Sequence, residues 1–156
     1  MIDVPTEEDW GDYGSDLDQE YAHRQFAGRT NEEMQPRFRE NVLMRSEDLH
    51  RMRAVPFQYY VLGFRDFILS WKFVPDSDPD SCDGSDAASC FLNLVLAKLE
   101  KWPEHVLPVM PDLLPALRHI AENQASFHAD EAIYGSFREK LEQIESLYAS
   151  RSEHKA

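Results

Sequence analysis

Apolar residues recur along this chain at three- and four-residue intervals, a spacing that predicts helices for most of its length. A first helix is expected from Ser15, whose hydroxyl can cap it while Asp16 and Asp18 favour the positive dipole end. It should reach about Ala27, with Gly28 suited to a left-handed stop. Thr30 and Glu33 then form a capping-box pair. The stripe Met34, Phe38, Val42, Leu49 and Met52 keeps helical spacing beyond it, with Arg45 in its gap and Pro36 as an awkward early residue.

Pro56 opens the most apolar segment. Phe57, Tyr60, Val61, Phe64, Ile68 and Trp71 share one side, while Tyr59, Leu62, Phe67 and Leu69 carry apolar surface around the rest. The aromatics would suit a strand, but no turn signal interrupts the run, so a central helix of about residues 57–73 is predicted, covered on most sides. After an acidic connector broken by Pro75 and Pro79, Asp86 or Ser85 should cap a helix from about Ala87 to Lys101, with Phe91, Leu94, Val95 and Leu99 inward. The proline-rich stretch that follows leaves room for one short turn over Val106–Met110. A helix capped by Asp112, with Pro115 in its first turn, comes next, and a last helix covers roughly Asp130–Ala149.

These elements predict an all-α, single-domain bundle of about five to seven helices around the 57–73 helix. An irregular acidic arm over residues 1–14, a helical domain over 15–150 and a frayed tail over 151–156 complete the expected organisation. Trp10 and Tyr13 are out of place in a solvated arm, so they should dock on the body or on a partner.

Charge sharpens this picture. Residues 1–20 hold eight carboxylates and residues 76–86 hold five, with no Lys or Arg in either stretch. Together they account for the net charge of −13, the rest of the chain being balanced. Such concentrated negative charge speaks against nucleic acid as a direct ligand and against anionic lipid. The longest apolar run, Val55 to Val74, is interrupted by Gln58, Arg65, Asp66 and Lys72, which argues against a membrane span. No basic, apolar leader precedes the arm, so a reducing cytoplasmic location is expected, with Cys82 and Cys90 unlinked.

Candidate chemistry is sparse. Glu20–His23 and Glu47–His50 share the Glu-x-x-His spacing of di-iron bundles, but both fall away from the apolar stripes and read as exposed surface. Asp76, Asp78, Asp80 and Asp83 open like a calcium loop, yet Ser81 and Ala87 stand where such a loop needs Gly and Glu. Neither cysteine has a neighbouring base, and no common catalytic or phosphate-binding motif is present, so no catalytic residue, metal or cofactor is expected. Arg37, Arg39, Arg45, Arg51 and Arg53 are expected to pair with Glu40, Glu47, Asp48 or the acidic arm.

The leading expectation is therefore a cytosolic binding module that neutralises a basic protein, in the manner of an immunity protein against a bacterial toxin. Glu7, Glu8, Asp9, Asp12, Asp76, Asp78, Asp80 and Asp83 would supply the charge, and Trp10 and Tyr13 the desolvated anchors. One alternative is a helical enzyme or small-ligand domain whose site lies near the aromatic helix, lined by Tyr59, Tyr60, Arg65, Asp66 and His119. Another is a helical domain of no inferable activity, its acids serving solubility alone.

Overall fold

The computed structural model describes residues 3–71 and 83–153. Each helix boundary follows from the local chemistry. Asp16, not Ser15, caps α1 (Leu17–Phe26), its carboxylate accepting from the amides of Asp18 and Gln19. Thr30 and Glu33 form the capping box that starts α2 (Asn31–Glu40), and Pro36 sits inside that helix. The stripe from Met34 to Met52 belongs to two helices rather than one. Asn41 leaves helical geometry, ends α2, and turns its side chain to accept from Met44 N, starting α3 (Val42–Arg51).

The apolar segment forms α4 (Ala54–Leu69), with Pro56 tolerated in its first turn. It starts and stops earlier than residues 57–73: Ser70 turns its hydroxyl to the Phe67 carbonyl, and Trp71 lies beyond the end. Asp83 rather than Asp86 or Ser85 caps α5 (Gly84–Lys101). Pro103 starts the short α6 (Pro103–Val106), and a 3-10 turn over Leu107–Val109 leads straight into α7 (Met110–Glu122). Asp112 therefore lies within the first turn of α7 and complements its dipole instead of capping it. The last predicted helix is also two: Gly135, at φ 76°, separates α8 (Glu131–Tyr134) from α9 (Phe137–Glu153). Helix α9 continues through residues 151–153, where Arg151 donates to the Leu99 carbonyl, so these residues are not frayed.

The domain is all-helical among the described residues, and none of its helices is long and apolar enough to cross a membrane. One continuous apolar cluster holds it together, drawing on α1 to α7, α9 and the leading segment. Phe57, Tyr60, Val61, Phe64 and Ile68 of α4 are fully buried in it. Phe38 stacks on Phe64 and Phe67, and Phe64 meets Phe91 edge-on, so aromatic contacts link α2, α4 and α5. Gly63 lets α2 approach α4 closely; a Cβ there would stand 2.3 Å from Asn31 Oδ1. Asn31 uses the space to donate to the Tyr59 carbonyl at 2.9 Å.

Candidate functional site

The leading segment is built rather than loose. Thr6 and Asp9 cap each other's backbone around a 3-10 turn, Glu7–Trp10. Gly11, at φ 64° and ψ −153°, then reverses the chain in a region that side chains rarely reach. These turns put Trp10 into the core at 3% exposure, edge-on to His23 and near Tyr60. Tyr13 stacks on the other side of His23 with ring centroids 3.8 Å apart. Glu7 closes the clasp by accepting from the Tyr13 hydroxyl and meeting His23 Nε2 at 2.8 Å. The Tyr13 hydrogen bond first, and His23 second, hold the Glu7 carboxyl below its ordinary range.

This geometry sorts the expected partner-binding residues. Trp10 is a core residue, unavailable as an anchor in this conformation, because its indole fills space between α1 and α4. Glu7 and Tyr13 are engaged with His23, and Asp9 and Asp83 serve as caps. Glu8 and Asp12 remain exposed. Asp76, Asp78 and Asp80, with Cys82, lie outside the described residues.

The arginines are spent largely within the body. Arg45 is buried, with Nε 2.9 Å from Asp48 Oδ2, and it donates to Gln25 Oε1 and to the Tyr21 hydroxyl. The Nε–Oδ2 contact is Coulombic, since the N–H is not aimed at the oxygen. Burial pushes the Asp48 carboxyl up to about 6, and the Arg45 charge offsets only part of that. Arg37 also donates to Gln25, while Arg51 bridges Glu47 at 3.0 Å and Asp18 at 3.7 Å. Arg53 reaches the arm and α1 through neutral oxygens, the Asp12 carbonyl at 3.0 Å and Gln19 Oε1 at 3.5 Å. The arm is thus held mainly by aromatic packing and backbone contacts, and much of its negative charge stays outward.

Two surface features lay outside the sequence expectations. On α1, Leu17 is 82% exposed and Tyr21 36% exposed, one turn apart on the same side. Exposed Asp16 and Asp18 and half-buried Glu20 flank them in sequence, and Arg45 of α3 lies over the Tyr21 ring. Between α5 and α9, Glu100, Glu139 and Glu142 line an open groove of about 660 Å³. Its charge escapes any reckoning by stretches because the local sequence is balanced.

A cleft of about 510 Å³ opens where the start of α1 meets the α3–α4 junction, Trp102 and α6. Asp16, His50, Arg51, Arg53, Trp102 and His105 are among the residues that line it. Behind Met52 and His105 lies Lys98, fully buried, its Nζ donating to the Met52 carbonyl at 2.9 Å and standing 3.0 Å from His105 Nδ1. The ammonium also faces the rings of Phe57 at 4.7 Å and Trp102 at 4.9 Å. Burial lowers the Lys98 pKa to about 7, and burial first, then the Lys98 charge, keeps the His105 ring below its usual value. His50 is likewise pushed down by burial, and its Nε2 is enclosed without a hydrogen-bond partner.

The two Glu-x-x-His motifs therefore do more than cover surface. Their acids point outward as expected, but His23 is held in the arm clasp and His50 faces the cleft. Among the described residues no three His, Cys, Asp or Glu gather as a metal site. Three of the residues expected to line the alternative site near the aromatic helix, Tyr60, Arg65 and Asp66, are engaged with other groups. The Tyr60 proton is shared between the Phe26 and Arg29 carbonyls, each 2.7 Å away, and Arg65 pairs with Asp66 at the surface. Cys90 is half-buried beside Ser46, and burial lifts its thiol to about 11, which leaves little thiolate for nucleophilic work at neutral pH. Searches against protein-family models, curated proteins and solved structures found no match to this chain.

Proposed function

We propose that this chain is a cytosolic protein-binding module that neutralises a basic protein, in the manner of an immunity protein acting on a bacterial toxin. The observation that carries the reading is the outer face of α1, where Leu17 and Tyr21 stand exposed inside a frame of Asp16, Asp18 and Glu20. Exposed apolar groups supply binding energy when a partner excludes water from them, and surrounding carboxylates select a cationic surface and speed the encounter. The clasp of Trp10, Tyr13 and His23 fixes the arm beside α1, so Glu8 and Asp12 extend the same negative field at little ordering cost on binding. Leu17 and Tyr21 thus take the anchoring role that the sequence suggested for Trp10 and Tyr13.

The test is affinity capture from the cells that make the chain, followed by titration of the captured protein at two salt concentrations. A basic partner is expected, whose affinity falls with salt, and whose toxicity or activity is relieved by co-expression of this chain. Asp16→Lys with Asp18→Lys should slow association, and the same changes at Glu139 and Glu142 should act weakly. A neutral or acidic partner, or binding indifferent to salt and to the α1 reversals, would sink the proposal.

A further inference from the structure

We propose that the cleft between the start of α1, the α3–α4 junction and α6 binds a small planar organic anion, an aromatic carboxylate, with its ring on Trp102 and its carboxylate on Arg53. The inference is independent of the partner-binding reading and rests on three observations.

The first is size and shape. At about 510 Å³ the cleft lies within the range of small-molecule sites, and its walls come from the start of α1, the α3–α4 junction, Trp102 and α6. The second is the flat surface available. Trp102 is half-buried, nearly parallel to His105 at an interplanar angle of 12°, and also borders His50, so a planar guest can extend an existing aromatic wall.

The third is the disposition of charge. Arg53 has five N–H donors and commits two of them, both to neutral oxygens, so its guanidinium keeps donors and full charge for a guest. Lys98 stands behind the wall, a cation when protonated, with a backbone carbonyl and an imidazole as its hydrogen-bonding neighbours. Among the described residues Asp16 is the one carboxylate lining the cleft, and it keeps its charge while accepting from the amides that start α1. Glu47 and Asp18 face Arg51, and Glu104 lies on the His105 Nε2 side at 3.8 Å. A cation would meet Arg53 and Arg51 against the lining carboxylate, Asp16, and a neutral ring would gain no charge-assisted bond from the guanidinium, so the anion is the better fit.

The experiment is a two-dimensional NMR titration of the indole N–H signals, those of Trp10 and Trp71 serving as internal references. The probes are benzoate, its neutral isostere benzamide and inorganic phosphate. Benzoate should move the Trp102 signal along a saturating curve with a Kd of about 1 mM or tighter, the range open to a ligand this small. Benzamide and phosphate should each bind at least about tenfold more weakly, since one lacks the charge and the other the ring. Arg53→Gln, an exposed change that keeps the fold, should erase the preference for benzoate over benzamide. Overlapping benzoate and benzamide curves, a preference that survives Arg53→Gln, or a linear drift shared by all three indoles would each overturn the proposal.

Discussion

Replacing Lys98 with methionine tests whether an ammonium group has been drawn into the core. The side chain has no exposed surface, and its amine titrates near 7 in the folded protein against 10.5 for the ordinary group. Below pH 7 the amine is charged in both folded and unfolded chains, and the full cost of burying the charge is present. Between about 7 and 10.5 the unfolded chain holds the proton and the folded one releases it, so stability rises with pH. The slope is about 1.4 kcal/mol per pH unit, which accumulates to about 4–5 kcal/mol over the whole window. Lys98→Met lacks this term. It also leaves the Met52 carbonyl and His105 Nδ1 without their donor, a penalty that shifts the stability difference but not its slope. Denaturant unfolding of both proteins at pH 7, 8 and 9 provides the assay, because other titrating groups cancel in the difference. The wild type should gain about 2–3 kcal/mol on the variant from pH 7 to pH 9. A difference that stays flat across that range would refute the lowered titration of Lys98.

Three further changes probe other parts of the fold. Asp48 has the opposite sign: its folded pKa of about 6 lies above the ordinary 3.8, so the folded chain holds the extra proton and stability falls as pH rises through that interval. Thermal or denaturant unfolding of Asp48→Asn should therefore show the variant gaining on wild type between pH 4 and 6, by about 1.4 kcal/mol per unit at most. Trp10→Ala should cost about 3–5 kcal/mol and free the leading segment, seen as rapid cleavage at Glu7 or Glu8 by a glutamate-specific protease, whereas Tyr13→Ala should cost less because Tyr13 is only half-buried.

Helix type and most core faces were legible in the sequence because apolar spacing reports directly on burial. The breaks inside helices were not. Asn41 interrupts a stripe whose spacing is continuous, since its side chain offers the next helix a cap that periodicity cannot register. Gly135 does the same between α8 and α9 with a positive φ. Expected caps were misplaced by one to three residues where several acids or hydroxyls competed, as Ser15 with Asp16 and Asp86 with Asp83. Some of the misses had a signal. Lys98 falls seven residues after Phe91, four after Leu94 and three after Val95, squarely on the stripe assigned inward, and Arg45 fills the equivalent gap between Val42 and Leu49. A charged residue in such a slot must be buried with compensation, and both are: one beside Met52 and His105, the other beside Asp48 and Gln25. The acidic α5–α9 groove had no comparable signal, because Glu100 meets Glu139 and Glu142 only through tertiary packing. Net charge by stretch locates a field but says nothing of exposed apolar groups. On α1 these are Leu17 and Tyr21, whose i, i+4 spacing was visible but whose exposure depends on α3 covering only one side of the helix.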